Sequence, residues 1–205
     1  VFVEVDRMDT PATTPSPAEL AAWQQRAESV TITRDEWGIP HIHGRSDADA
    51  VFGLIYAQAE DDFNRIEMNY LRALGRTAEV DGEAQIFQDL RMRLVVDEDT
   101  LRSHYASSPD WLRNLMDAWA DGLNHYLATH PQVRPKVLQR FEPWMTLAFS
   151  EGSIGWDIER VSLGDLEGFY GKGEVATRAT AALAPEQDDG QGGSNGIALS
   201  GAITR

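Results

Sequence analysis

The chain has 205 residues, of which 42% are hydrophobic and 25% charged, a composition typical of a globular protein. Its formal net charge of -15 argues against binding to a nucleic-acid backbone or to an anionic membrane surface. The absence of cysteine excludes disulfides, zinc–thiolate sites, iron–sulfur clusters and cysteine nucleophiles. The sequence has no run of about 18 apolar residues, so it predicts no membrane-spanning helix.

The first predicted elements are a lead-in and two short strands. Residues 1–29 are predicted to form a flexible lead-in that includes a short helix over 18–28, because proline, serine and threonine cluster near the start. The alternating, β-branched sequence Val30–Arg34 predicts a strand. A turn over 35–38 leads to a second extended piece, where Pro40 favours a sheet edge or the start of a strand.

The clearest predicted helix covers residues 47–74, where apolar residues recur at a spacing near 3.6. Ser46 or Asp47 is suited to cap its N-terminus, and Gly75 is placed to end it. The same spacing predicts a second helix over residues 87–94.

A third long helix is predicted to begin near Pro109, with a buried face that runs from Trp111 to Leu127. Gly122 lies inside it at a cost of about 1 kcal/mol relative to alanine, which indicates close packing or bending there. A last helix is predicted over residues 163–170. The tract 172–193 has few large apolar residues and is predicted to be a linker.

The most informative stretch is Gly193-Ser194, where this linker meets a strand-like pattern that begins at Ile197. The Ser194 hydroxyl is placed to attack the Gly193 carbonyl, and hydrolysis of the resulting ester would free an N-terminal serine. The α-amine of that serine, with a pKa of about 7.7–8.0 in model peptides, can accept the hydroxyl proton. The same glycine-rich sequence is also typical of an ordinary flexible loop, so both interpretations stand at this point.

Several short motifs precede this serine in order along the chain. They are Arg-Asp-Glu-Trp-Gly-Ile-Pro-His-Ile at 34–42, Tyr-Ala-Gln-Ala-Glu-Asp at 56–61, Leu-Gly-Arg-Thr-Ala-Glu at 74–79, Trp-Ala-Asp-Gly-Leu-Asn at 119–124 and Phe-Glu-Pro-Trp at 141–144. Together with Gly193-Ser194-Asn195, this ordered set resembles the penicillin acylase family of N-terminal-nucleophile hydrolases. The resemblance covers roughly residues 30–205.

The resemblance implies an α+β fold: a mostly helical α-subunit segment plus the first β-subunit strand of an αββα sandwich. It implies an α-subunit-like segment at 30–173, a spacer at 174–193 and the truncated start of a β subunit at 194–205. The implied partner is the β subunit of the same precursor, in a heterodimer, with no nucleic acid and no membrane. The implied location is periplasmic or secreted, although no signal peptide is visible in a chain that begins at Val1.

The activity that the resemblance implies is hydrolysis of an acyl amide without a catalytic cofactor. The implied substrate is a penicillin, an N-acyl-homoserine lactone or a related N-acyl compound. A precursor of this kind is a zymogen that cleaves itself around the spacer. Most of the β subunit, which in the family supplies the oxyanion hole, is missing. Because such donors are worth about 2.7–4 kcal/mol each in acyl transfer, we predict that the 205-residue piece is inactive alone.

The site residues implied by the resemblance lie in the second half of the chain. Ser194 is the expected nucleophile, and the bond between Gly193 and Ser194 is the expected autocleavage site. An apolar acyl pocket is expected at Leu147, Phe149 and Ile154, for which plain core packing is the alternative. A structural calcium ion is expected at Glu159 and Asp157, for which a solvated acidic turn is the alternative.

Other polar groups have two interpretations each. His41 and His43 could contribute two metal ligands, but satisfied polar residues beside a strand are the favoured interpretation. Glu60, Asp61 and Asp62 are predicted to be structural, with Arg65 within reach for an ion pair. An alternative to the enzyme as a whole is a non-catalytic helical binding module with a flexible glycine-rich tail.

Overall fold

The computed structural model describes residues 14–148 and 161–170. The chain divides into two compact units, residues 1–150 and residues 151–205, and each is described here by itself. The described part of the first unit is mostly helical and carries one two-stranded antiparallel sheet. This architecture agrees with the predicted α+β class. The predicted first strand of a β subunit lies outside the described residues.

The elements follow one another along the chain with short connections. The first unit contains α1 (Pro17–Ala27), β1 (Val30–Arg34), β2 (Pro40–Gly44), α2 (Asp47–Ala73), α3 (Ala78–Asp81), a 3₁₀ turn (Glu83–Gln85), α4 (Ile86–Arg93), α5 (Glu98–Ser107), α6 (Asp110–Thr129) and a 3₁₀ helix (Pro143–Leu147). The second unit contributes α7 (Leu163–Tyr170), where the Ser162 hydroxyl accepts from the Asp165 N–H at 3.3 Å. Among these described helices, none is long and apolar enough to cross a lipid bilayer.

The short helix predicted over residues 18–28 is confirmed as α1, and it packs against α6 rather than lying free in a flexible lead-in. Ser16 and Glu19 form a capping box at the start of α1, and Pro17 occupies its first turn. Trp23 is buried, and its indole N–H donates to the Asp121 carboxylate of α6 at 2.7 Å. One large side chain, rather than a full apolar stripe, therefore docks this helix on the rest of the unit.

Helix α2 consists of two helical parts that meet at Asp62. This residue has φ −161° and ψ 77°, which is not helical, and its carboxylate accepts from the Arg65 N–H at 3.0 Å. Asp62 therefore acts as an N-cap for the second part of the helix. The predicted end at Gly75 is confirmed: with φ +62°, it allows the Arg76 N–H to donate to the Leu71 carbonyl at 2.8 Å.

The core lies between α2 and α6, with the 3₁₀ helix and the segment before it packed against them. Its most buried side chains include Phe52, Leu71, Leu123 and Phe141. Trp111 was predicted to lie on the buried face of α6 but is 66% exposed. The reason is its position in the first turn, because the buried residues of this helix begin only at Met116.

Helix α5 was not predicted from the sequence. None of its residues is fully buried and only Leu101 and Tyr105 pack against the core, so the sequence Glu98–Ser107 carries too short an apolar stripe to mark a core-facing helix. Its start is set instead by Asp97, whose carboxylate accepts from the Thr100 N–H at 2.8 Å.

Replacing Gly122 by alanine is expected to lower the free energy of unfolding by about 1–3 kcal/mol. A Cβ at this position would lie 2.5 Å from Cγ2 of Ile55 and 2.7 Å from the backbone oxygen of Phe52, because α2 and α6 approach closely there. Urea denaturation measures the change. The control is Ala128→Gly at an exposed position of the same helix, which reports the backbone propensity of about 1 kcal/mol alone. A Gly122→Ala variant that gains stability would contradict the close approach.

His125 is expected to make the folded state sensitive to acid. It is buried between the rings of Phe52 and Tyr56, with centroid distances of 5.6 and 5.8 Å, and no partner for its Nδ1 occurs among the described residues. Burial, and secondarily the charge of His130, lower the pKa of His125 below its usual 6.5.

The direction in which stability changes with pH depends on whether the folded or the unfolded state takes up the proton at higher pH. As the pH falls below about 6.5, the unfolded chain protonates His125 before the folded chain does, so stability is lost with acid. We expect the urea midpoint of unfolding to be lower at mildly acidic pH than at neutral pH. A His125→Gln variant should show a smaller decrease between these two pH values, once the stability that it has already lost at neutral pH is subtracted. The exposed His43→Gln serves as the control. An identical pH slope in both variants would contradict this role.

Candidate functional site

Most residues of the predicted site lie outside the described residues. These are Phe149, Ile154, Asp157, Glu159, Gly193 and Ser194. Leu147 is the predicted pocket residue that the structure describes. It is the last residue of the 3₁₀ helix and is half-buried. For the predicted site, the structure therefore describes the residues that position the chain before Leu147 and Ala148.

A buried carboxylate fixes the irregular segment before this helix. Glu67 of α2 has no exposed surface, although its side chain is polar. One of its oxygens accepts from the Val137 and Leu138 N–H groups at 2.7 and 2.9 Å, and the other accepts from the Lys136 N–H at 2.9 Å. Three backbone donors thus compensate the desolvation of one carboxylate.

A buried amide holds the same segment further along. The Asn124 side chain of α6 donates to the Phe141 carbonyl and accepts from the Phe141 N–H, both at 2.9 Å. Both backbone groups of Phe141 are therefore bound by one side chain, in the way that two strands pair. We call Glu67 and Asn124 with their bonds to residues 136–141 the polar clamp.

The 3₁₀ helix that follows is anchored by its own side chains. Trp144 and Met145 are buried in the core, and the Arg102 guanidinium lies over the Trp144 ring at 4.6 Å. The Thr146 hydroxyl donates to the Pro143 carbonyl at 2.8 Å. Leu147 consequently ends a segment whose backbone is fixed from residue 136 onward.

The motif at residues 34–42 ties the hairpin to α2. Arg34 donates to the Gly38 carbonyl at 2.9 Å and forms ion pairs with Asp61 at 2.8 Å and Glu60 at 3.2 Å. Asp35 accepts from His41 at 3.1 Å, and this bond, together with backbone N–H donors, lowers the pKa of its carboxyl group. The charged residues of the motif therefore hold the turn and its position on the helix.

The three consecutive acidic residues of α2, Glu60, Asp61 and Asp62, have ion-pair partners, as expected for a structural role. Asp62 pairs with Arg65 at 3.2 Å, as predicted, whereas Glu60 and Asp61 pair with Arg34. An open cleft of about 430 Å³ lies beside the kink, lined by residues 59–64, Tyr126 and residues 132–134. The three carboxylates that line this cleft therefore all form ion pairs with arginines.

The two histidines of the hairpin are not joined by further metal ligands in the described part of the chain. His41 and His43 are exposed and lie opposite Thr33 and Thr31 on the paired strand. Within residues 14–148 and 161–170, no group of three or more histidine, aspartate or glutamate side chains is placed to hold a metal ion.

The sequence analysis did not single out Glu67 or Asn124. A signal for Glu67 exists, because it lies on the apolar face of α2, four residues after Phe63 and four before Leu71, both of which are buried. A charged residue at such a position needs a buried partner. The partners themselves could not be read from the sequence, because they lie about 70 residues further on.

Comparison with known proteins places the chain in a family. Residues 29–205 match a family model described as Penicillin amidase, which is more than half of the chain. The chain therefore belongs to the penicillin amidase family.

Individual relatives are similar over part of the chain. It is 29% identical over 125 residues to "Penicillin acylase 2 proenzyme" of Pseudomonas sp. (strain SE83), a match that covers 58% of this chain and 16% of that protein. It is 32% identical over 109 residues to "Acyl-homoserine lactone acylase QuiP" of Pseudomonas fluorescens (strain Pf0-1), covering 53% and 13% respectively. The chain therefore spans less than a fifth of the length of these curated relatives.

A solved structure has a similar fold. The chain described as "Thermostable Penicillin G acylase from Alcaligenes faecalis in tetragonal form" aligns with a TM-score of 0.53 and 21% identity. The alignment covers 77% of this chain and 98% of that one. It supports the α+β fold.

Proposed function

We propose that this chain is the α-subunit segment, spacer and β-subunit start of a self-processing amidohydrolase. The observation that carries the proposal is the family match, which extends through residue 205 and so includes Gly193-Ser194. One relative is named as a proenzyme of penicillin acylase, which supports a precursor that is processed. The rest of the catalytic machinery would come from the β subunit of the same precursor.

Maturation would begin at Ser194. Its hydroxyl oxygen attacks the Gly193 carbonyl carbon, the peptide bond breaks, and an ester with a free α-amine on Ser194 results. Water then hydrolyses the ester, which releases the Gly193 carboxylate and restores the hydroxyl. The new N-terminus carries nucleophile and base on one residue.

Substrate hydrolysis would use the same atoms. The α-amine of Ser194 accepts the proton of the hydroxyl, whose oxygen attacks the acyl carbon of the amide substrate. The proton passes to the leaving amine, an acyl ester remains on Ser194, and water releases the acid. The substrate is an acyl amide such as a penicillin or an N-acyl-homoserine lactone.

Further parts of the proposal concern the acyl pocket and a metal ion. Leu147, Phe149 and Ile154 form an apolar wall against the acyl group. Asp157 and Glu159 provide carboxylate oxygens, the donor type that calcium prefers, for a structural ion. The enzyme is periplasmic or secreted.

The test of the proposal is the N-terminus of the mature protein. We expect intact-mass and N-terminal measurements on the protein expressed from the full-length gene to find a large subunit that begins at Ser194, and hydrolysis of at least one acyl amide. A large subunit that begins at another residue would contradict the proposed nucleophile. An unprocessed, inactive chain would favour a binding module.

A further inference from the structure

We infer that Glu67 and Asn124 are positioning residues that set the acyl-chain selectivity of this enzyme, an inference that rests on the proposed function. The polar clamp fixes residues 136–141, and Leu147 lies a short way beyond it in the chain. Neither residue is part of the proposed pocket wall. They would act through the placement of Leu147.

The irregular segment depends on the clamp for its conformation. Residues 131–142 form no helix or strand, so their backbone groups are not paired within a ladder. The N–H groups of residues 136–138 are bound by Glu67 instead, and both backbone groups of Phe141 by Asn124. The two helices α2 and α6 thereby determine where this segment runs.

Residues 142–146 connect the polar clamp to Leu147, and the 3₁₀ helix begins at Pro143. Phe141 is almost fully buried, and Trp144 and Met145 are buried in the same core. The 3₁₀ helix is closed by bonds from Met145 N–H to the Glu142 carbonyl and from Ala148 N–H to the Met145 carbonyl, both at 3.0 Å. Because residues 136–141 lead directly into this helix, we expect a change in their path to shift the half-buried Leu147.

A pocket wall that moves changes selectivity rather than chemistry. A difference of about one methylene group in an apolar pocket changes discrimination about 10-fold or more. Loss of the clamp should therefore alter the preference between short and long acyl chains, while the nucleophile and base on Ser194 stay the same.

The experiment uses the full-length precursor with Glu67→Gln and, separately, Asn124→Asp. Both variants keep the shape of the side chain. Glu67→Gln replaces an acceptor oxygen by a donor amide group, and Asn124→Asp replaces a donor amide group by an acceptor oxygen. The matched controls are Glu79→Gln and Asn114→Asp, which make the same chemical changes at exposed positions. Straight-chain acyl amides of one leaving amine, from short to long, are the substrates.

The deciding measurement is the ratio of kcat/KM for a long acyl chain to that for a short one. This ratio does not depend on the folded fraction, so a loss of stability alone leaves it unchanged. We expect both clamp variants to shift the ratio by about 10-fold and both controls to leave it as in the wild type. Hydrogen exchange at residues 136–141 should rise in the clamp variants.

The other outcomes separate this inference from the proposed function. Faster exchange with an unchanged ratio would overturn the selectivity role while the amidohydrolase stands. If the clamp variants hydrolyse none of the substrates while the control variants stay active, the clamp serves folding only, and the inference is overturned. A wild type that hydrolyses no acyl amide would overturn the proposed function and this inference with it.

Discussion

A full-length precursor with Ser194→Ala is expected to remain a single chain and to lose amide hydrolysis by at least about 10⁴-fold. The substitution removes the oxygen that would attack the Gly193 carbonyl, so no new N-terminus forms. It also removes the oxygen that would attack the substrate. Electrophoresis with intact-mass analysis reports the cleavage, and turnover of an acyl amide reports the activity.

The matched control for this variant is Ser200→Ala, which removes a hydroxyl in the same stretch of sequence. It should be processed and active, since the proposed chemistry makes no use of Ser200. Cleavage of the Ser194→Ala precursor between residues 193 and 194 would show that an outside protease or another group cuts this bond. The assignment of Ser194 to maturation would then be wrong.

Replacement of Glu67 by alanine is expected to lower the free energy of unfolding by about 3–5 kcal/mol. Three N–H groups, those of residues 136–138, would lose their acceptor, and a cavity would remain where the buried side chain packed. Because folded domains have a total stability of only about 5–15 kcal/mol, this is a large share. Urea denaturation followed by circular dichroism measures it.

An exposed glutamate provides the comparison for this prediction. Glu79 forms an ion pair with Arg76 at 2.6 Å, and Glu79→Ala should cost less than about 1 kcal/mol because the pair is solvated. Equal losses in the two variants would mean that the buried carboxylate contributes no more than a surface charge. The description of Glu67 as an anchor of the irregular segment would then fail.

The long helices could be predicted because their stability comes from burial of an apolar stripe, which leaves a regular pattern in the sequence. Helices α2 and α6 pack on each other, and their bounds agree with the prediction within a few residues. Helix α5 packs only Leu101 and Tyr105 against the core, too few for such a stripe, and the kink at Asp62 depends on one local cap. Neither leaves a periodic signal.

The candidate site could be predicted only where its chemistry is carried by adjacent residues. Gly193-Ser194 stands out because nucleophile and scissile bond are neighbours in the sequence, and its role stays a prediction. The polar clamp joins Glu67 to a segment about 70 residues away, and Asn124 to Phe141 across 17. Such contacts arise from the packing of α2 against α6, which no local pattern encodes.

The clamp has a consequence for how the length of this chain can vary. Irregular segments usually accommodate extra residues, because few of their backbone groups are committed to partners. Residues 136–141 differ from such segments because several of their backbone groups are bound to side chains. Glu67 of α2 binds the donors at one end and Asn124 of α6 binds Phe141 at the other, so the two helices set the spacing between them. One added residue between 138 and 141 would change the spacing between these two sets of bonds, so this stretch should accept insertions less readily than an ordinary surface loop.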